Sequence, residues 1–155
     1  MIVISDTSCV TNLLAIGEEV LLERLFAEVV IPEAVWRELR QEHERLPGFI
    51  RIVAIRDVRL AQHLASDLLD EGEAEAIVLA EELAADFLLM DETAGRAVAT
   101  QRGLRVLGLL GVLRRAKDLG LIAAIRPLLA ALQNDAGFWV SPELRQRVLE
   151  DAGES

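Results

Sequence analysis

Two aspartates in this chain each follow a short apolar run. Asp6 ends Met-Ile-Val-Ile-Ser and precedes Thr7 and Ser8, while Asp91 ends Phe-Leu-Leu-Met and precedes Glu92 and Thr93. Glu73 lies in Leu69-Asp70-Glu71-Gly72-Glu73-Ala74-Glu75-Ala76-Ile77, where a cluster of acids opens into an apolar, small-residue helix, and Glu38 follows the Pro32 helix start. Carboxylates brought together repel and raise one another's pKa, so such a cluster is best stabilised by hard divalent cations, Mg²⁺ or Mn²⁺, which prefer oxygen ligands. Two such ions about 3.5–4 Å apart generate a hydroxide, hold a phosphodiester and stabilise the leaving oxygen. The reaction class these residue types suggest is phosphodiester hydrolysis, with Ser8 or Thr7 positioning a carboxylate.

Each acid also has a purely local explanation. Asp6 could simply cap the following helix. Glu38 could form a surface salt bridge with its Glu and Arg neighbours, beside a solvated face of Glu33, Arg37 and Glu42. Glu73 could sit in a first helical turn for the macrodipole alone, worth only about 0.3–1 kcal/mol. Against that last explanation, Glu73 shares a helical face with Ile77 and Ala80, which would bury it at a cost a mere surface charge would avoid. Glu75, Glu81 and Glu82 are expected to face water, and Glu71 or Glu75 stay open as substitutes for Glu73.

Elements of alternating type must position these acids. Ile2 to Ser5, Val29 to Ile31, Ile52 to Ile55, Asp86 to Met90 and Leu104 to Leu107 read as short buried strands. Helical spacing predicts a helix after Asp6 capped by Thr7 or Ser8, and others over 18–26, 33–45, 59–69, 73–84, 92–102, 109–119 and 123–132. Pro32 is expected as the first residue of the second of these later helices, and Ser141 and Pro142 open a last helix through Leu149. This βα alternation argues for an α/β fold, a mainly parallel sheet covered by helices on both faces, with Asp6 and Asp91 at the strands' carboxyl ends where open sheets place their sites. Glu73 and Glu38 would enter the same crevice from helices.

The chain has 155 residues, 52% hydrophobic and 27% charged, which suits one domain over 1–150 with a frayed tail over 151–155. No apolar run is long enough to cross a bilayer, and the first residues read as a strand rather than a signal peptide, so a cytoplasmic protein is expected. The net charge of −10 disfavours a general nucleic-acid coat, but bound cations would reverse the sign locally at an acidic site. Fifteen of sixteen basic residues are Arg, a type suited to bidentate phosphate contacts. Arg114, Arg115 and Lys117 form the densest basic group, expected as a solvated face, with phosphate contact as the minority alternative. Cys9 is the single cysteine and reads as a small buried hydrophobe, and the two histidines, His43 and His63, lack metal-ligand spacing.

The ordered set Ile-Ser-Asp-Thr-Ser at 4–8, Ile-Pro-Glu-Ala-Val-Trp-Arg-Glu-Leu at 31–39, Leu-Asp-Glu-Gly-Glu-Ala-Glu-Ala-Ile at 69–77 and Leu-Leu-Met-Asp-Glu at 88–92 resembles the PIN-domain ribonucleases. The segment 103–113 and the tail from Phe138 to Leu149 resemble the branch of VapC-type toxins of toxin–antitoxin systems. The resemblance implies a three-layer α/β/α fold, Mg²⁺- or Mn²⁺-dependent cleavage of single-stranded RNA, frequently a homodimer, and a small antitoxin partner. By motif position, Asp6, Glu38, Glu73 and Asp91 match the family's acidic quartet and Ser8 its small hydroxyl, with Glu92 as further support. Members often carry another Asp shortly after the Asp91 position, whereas Thr93-Ala94-Gly95-Arg96 follows here, which leaves one or two metal ions open. Two other readings compete. A haloacid-dehalogenase-type phosphatase would want a second Asp where Ser8 stands and a Lys that only Lys117 could supply. A PIN-like scaffold without catalysis would serve as a binding module.

Overall fold

A computed structural model describes residues 1–154 of the chain. Strands β1 (Val3–Ser5), β2 (Val29–Ile31), β3 (Ile50–Ile52), β4 (Phe87–Leu89) and β5 (Val106–Leu107) form one sheet in the order β3-β2-β1-β4-β5. Every pairing is parallel, with Ile4 opposite Val30 on one side and Leu88 on the other. The chain runs outward from β1 to β3 and then crosses back to β4. The order therefore reverses between β1 and β4, and at that switch point the connections leave in opposite directions and open a crevice.

Successive strand residues face opposite ways, and that alternation builds two cores. Val3, Val29, Ile31, Phe87 and Leu89 pack against α1 (Thr7–Ala15), α2 (Val20–Phe26), α3 (Glu33–Leu39), α7 (Leu109–Asp118), α8 (Arg126–Asp135) and α9 (Pro142–Asp151). Ile4, Val30, Leu88 and the following Met90 pack on α5 (Glu71–Glu82) and α6 (Thr93–Gln101), with Leu64 of α4 (Val58–Leu64) at the margin. The result is the expected three-layer α/β/α arrangement. The sheet is wholly rather than mainly parallel among the described residues.

Several boundaries differ from the sequence expectation. The helix expected over 33–45 ends at Leu39, and Pro32 is its cap rather than its first residue, because its ψ of 167° is extended. The third strand lies at 50–52 rather than 52–55, set by Ile50 pairing with Val29. The helix expected over 59–69 ends at Leu64, where Ala65 turns extended and the Ser66 hydroxyl accepts from the Leu68 and Leu69 N–H groups, competing with helical bonding. The helix expected over 123–132 runs from Arg126 to Asp135, with Pro127 confined to its first turn. Ser141 caps α9 ahead of Pro142, as expected.

The basic group on α7, expected as a solvated face, is tied to the end of the chain and to the sheet while Arg114 stays part-exposed. Arg114 donates to the Asp151 carbonyl and pairs with Asp118, Lys117 donates to the Ala152 carbonyl and to Glu154, and Arg115 lies 4.7 Å over the Phe87 ring. The end of the chain, expected to fray, is tied down as far as Glu154. Its carboxylate also accepts from the backbone N–H groups of Ile125 and Arg126 at 2.8 and 3.0 Å, free donors at the start of α8. These bonds and the Lys117 ammonium hold the Glu154 pKa down at about 2. A carboxyl depressed on folding stabilises above its unfolded value near 4.5, and that stability drains away as pH falls toward about 2. Glu154→Ala is expected to cost about 2 kcal/mol in urea unfolding near neutral pH, because several donors lose their acceptor, and less as the medium is acidified. An unchanged urea midpoint would show that the tail contributes nothing.

Candidate active site

The carboxyl edge of the sheet opens into a cleft of about 730 Å³. Asp6, Glu38, Glu73 and Asp91 all line it, together with Thr7, Ser8 and Glu92, so every acid and hydroxyl singled out in the sequence reaches one concavity. Asp70 and Phe138 are also among the residues that line it.

Asp6 follows β1 and is the N-cap of α1, its carboxylate accepting from the Cys9 N–H at 3.3 Å and from the Ser8 hydroxyl at 3.3–3.4 Å. The cap expected from Thr7 or Ser8 thus comes from Asp6 itself, whose short carboxylate reaches the third N–H of the helix. Capping and cleft lining are not alternatives here, since one side chain does both. Only 4% of Asp6 is exposed. Burial pushes its pKa up to about 7, with the charges of Asp91 and Glu73 adding to the rise and the Cys9 N–H and Ser8 hydroxyl opposing it.

Asp91 lies two residues beyond β4, and its Oδ1 accepts from the Leu109 N–H at 2.9 Å, at the positive end of α7. Burial raises its pKa, opposed by that hydrogen bond and by Arg96. Its Oδ2 is buried with no hydrogen-bond partner, a costly state for a carboxylate oxygen.

Glu73 is 8% exposed and lies above Ile77 and Ala80, as the spacing predicted. Its Oε1 accepts from the Asp70 N–H while Asp70 accepts from the Glu73 N–H, a reciprocal capping box. A capping bond, which the macrodipole explanation did not include, thus ties one of the Glu73 oxygens and leaves the other. Burial raises its pKa, and Asp70 and Glu92 raise it further. Glu71 and Glu75 turn elsewhere: Glu71 pairs with Arg37, and Glu75 accepts from the Ala34 N–H at 3.1 Å, fastening α5 to the start of α3. Glu81 and Glu82, expected in water, likewise hold Arg102 and the backbone N–H groups of Arg56 and Asp57.

Glu38 stands on the α3 wall. Burial raises its pKa, the Thr7 hydroxyl opposes that rise, and the acids it senses are Asp70 and Glu71 rather than Asp6. The four acids thus divide into an inner group, in which Asp6 feels the charges of both Asp91 and Glu73, and an outlying Glu38.

Three of them rest against glycines. A β-carbon at Gly72 would stand 2.5 Å from Glu38 Oε1, one at Gly95 would stand 3.2 Å from Glu73 Oε2, and one at Gly108 would stand 2.8 Å from Asp91 Oδ1. Gly72, Gly95, Gly108, Arg96 and Phe138 carry no site role in the sequence, where they stand only as parts of motifs or element ends. The only available signal was that each glycine opens or begins a helix next to an acid-bearing segment.

Among the described residues, no three of these side chains stand close enough to make a ready-formed cation cage. The donors nevertheless fit a hard divalent cation: all are carboxylate oxygens, one is buried and unpartnered, and three are seated where no side chain could intervene. Neither histidine lines the cleft, nor does Cys9, which is buried.

An all-parallel α/β/α domain with clustered acids at its topological switch point belongs to the class of open α/β folds that place their sites in the crevice at the strands' carboxyl ends. The particular family follows from the sequence match: a family model described as a PIN domain, DUF3368, matches residues 2–154, and the chain belongs to that family. PIN domains are generally nucleases and typically use divalent metals. Membership replaces the haloacid-dehalogenase-type alternative. No curated protein matches the chain. Among the described residues, no helix is long and apolar enough to cross a membrane.

Proposed function

We propose that the chain is a divalent-metal-dependent endoribonuclease that hydrolyses single-stranded RNA, acting as the toxin of a toxin–antitoxin pair. The observation that carries the catalytic part is the convergence of Asp6, Asp91 and Glu73 on one cleft, Asp6 and Glu73 buried and Asp91 half-buried with one carboxylate oxygen buried and unsatisfied. Carboxyl groups whose pKa values are raised by burial in a cleft, as all three are here, mark functional-site candidates.

Asp6, Asp91 and Glu73 would hold Mg²⁺ or Mn²⁺, with Glu38 closing the site from α3. When bound, such ions supply Lewis acidity and activate water for in-line attack on a phosphodiester. The residues do the rest. Ser8 and the Cys9 N–H fix the Asp6 carboxylate, the Leu109 N–H fixes Asp91, and the Asp70 N–H orients Glu73 with one oxygen free toward the cleft. Glu92, exposed at the rim, supports the inner acids without being held by a side-chain bond of its own. The antitoxin partner, the homodimer and a cytoplasmic location rest on the resemblance to VapC-type toxins.

The test is cleavage of a mixed single-stranded RNA pool by purified protein with Mg²⁺ or Mn²⁺, with EDTA, and by Asp91→Asn prepared in parallel. Activity should require metal and fall at least about 100-fold in the variant, because removing even an outer-shell partner of a metal ligand costs about 10–100-fold. Equal activity in both preparations, with no divalent-ion binding by calorimetry, would favour the binding-module reading.

A further inference from the structure

On the far side of Asp91 a second groove of about 580 Å³ runs between the start of α7 and the segment leading into α9. Leu107, Leu110 and Val140 make it apolar, Gly108 and Gly111 keep its floor low, and the Arg96 guanidinium borders it while its Nη1 donates to the Met90 carbonyl at 3.0 Å. Trp139 stands on its rim, 80% exposed, although a tryptophan gains most from burial. Two residues, Asp91 and Phe138, line both this groove and the acidic cleft, so the two adjoin at one of the inner acids.

Resting on the nuclease function above, we propose that this groove receives an unpaired nucleobase of the RNA strand next to the bond that is cut, stacked on Trp139 beside Arg96. The charge of the chain selects the nature of this contact. With a net charge of −10 and an acidic cleft, this protein gains little from the phosphate attraction that gives most nucleic-acid binders their affinity. Affinity must then come from the base. An exposed indole offers a π-face that every base can use, a nearby guanidinium adds cation–π and stacking contact, and unstacked bases are available only in single strands. A groove that adjoins the inner acids at Asp91 also sets register, because a base anchored there brings a neighbouring phosphodiester toward Asp91. Trp139 is thus a positioning residue for the strand.

The experiment uses the full chain carrying Trp36→Phe, which leaves Trp139 as the single tryptophan of the two. Asp6→Asn is added in the fluorescence arm to stop cleavage. A short oligouridylate in Mg²⁺ should quench the indole, and an abasic oligomer of equal length should not. In the cleavage assay, with Asp6 intact, Trp139→Ala should raise KM about 5- to 150-fold, the span of measured base–aromatic stacking contributions, with kcat nearly kept and Trp139→Phe restoring most of the affinity. Equal quenching by the two oligomers, or an unchanged KM in Trp139→Ala, overturns the proposal. So does quenching by a leucine-rich amphipathic peptide but not by RNA, which would assign the groove to a protein partner. If the wild type cuts no RNA while oligouridylate alone quenches Trp139, the nuclease function falls and the base site stands. If RNA is cut in a metal-dependent way without quenching, the base site alone falls.

Discussion

Asp6→Asn is expected to abolish RNA cleavage and, in the same tube, to stabilise the metal-free protein. Asp6 is buried, and its pKa rises on folding from 3.8 to about 7. Between those values the folded state holds a proton that the unfolded chain has released, so stability falls as pH rises through the window. Above about pH 7 the whole cost is present, about 4 kcal/mol for a shift of this size. Asn carries no charge at any pH, yet its side-chain oxygen can still accept from the Cys9 N–H and keep the helix cap. The variant should therefore melt with the wild type near pH 4, pull ahead as pH rises, and level off about 8–16 °C higher near pH 8 in EDTA. Millimolar Mg²⁺ should raise the wild-type midpoint and leave the variant's nearly unmoved, since only a native state that binds the ion is stabilised by it. A variant that melts lower than wild type at pH 8, or by a gap that does not change with pH, would show that Asp6 is a structural cap whose charge costs nothing.

How much of this site the sequence discloses depends on how local its causes are. Asp6 and Asp91 are legible because an uncharged apolar run broken by an acid is a strand delivering a side chain to the sheet's edge. Glu73 is legible through its helical spacing from Ile77 and Ala80, although its reciprocal bond with Asp70, an Asp-x-x-Glu pattern open to inspection, went unread. Glu38 has a weaker signature, its place beside the Val35 and Leu39 stripe of the helix after Pro32, which suits a surface salt bridge equally well, and the resemblance adds the motif position. The parallel sheet follows from the alternation of elements. The boundaries near Pro32, Ser66 and Pro127 do not, because they turn on single-residue chemistry that periodicity averages away. Least legible are contacts between distant segments. Gly95 seats Glu73, Gly108 seats Asp91, Phe138 reaches the cleft and Glu154 closes on Lys117 and α8, and each pairing exists only after the chain has folded.

Gly108→Ala should disable the enzyme while leaving its fold intact. Gly108 caps α7 at φ −84° and ψ 175°, a conformation alanine adopts freely, so the substitution adds no backbone strain. Its effect is confined to the new methyl group, which would stand 2.6 Å from Arg96 Nη1 and 2.8 Å from Asp91 Oδ1. Arginine is long and can swing aside. Asp91 cannot move far, since its Oδ1 is tied to the Leu109 N–H one residue on from the methyl group. The carboxylate must rotate or retreat, and a displacement of about 1 Å at a reacting group is enough to cost about 100-fold in rate. The loss should fall on kcat, with a stability penalty of about 1–3 kcal/mol from overpacking. Gly48→Ala supplies the control, because a β-carbon there meets nothing within 4 Å, and it should behave as wild type. The double variant Gly108→Ala with Arg96→Ala separates the two clashes. If kcat stays low, the methyl group acts on Asp91 directly. If kcat recovers, the damage travels through Arg96, and if Gly108→Ala is fully active from the outset, Asp91 is not held where catalysis needs it.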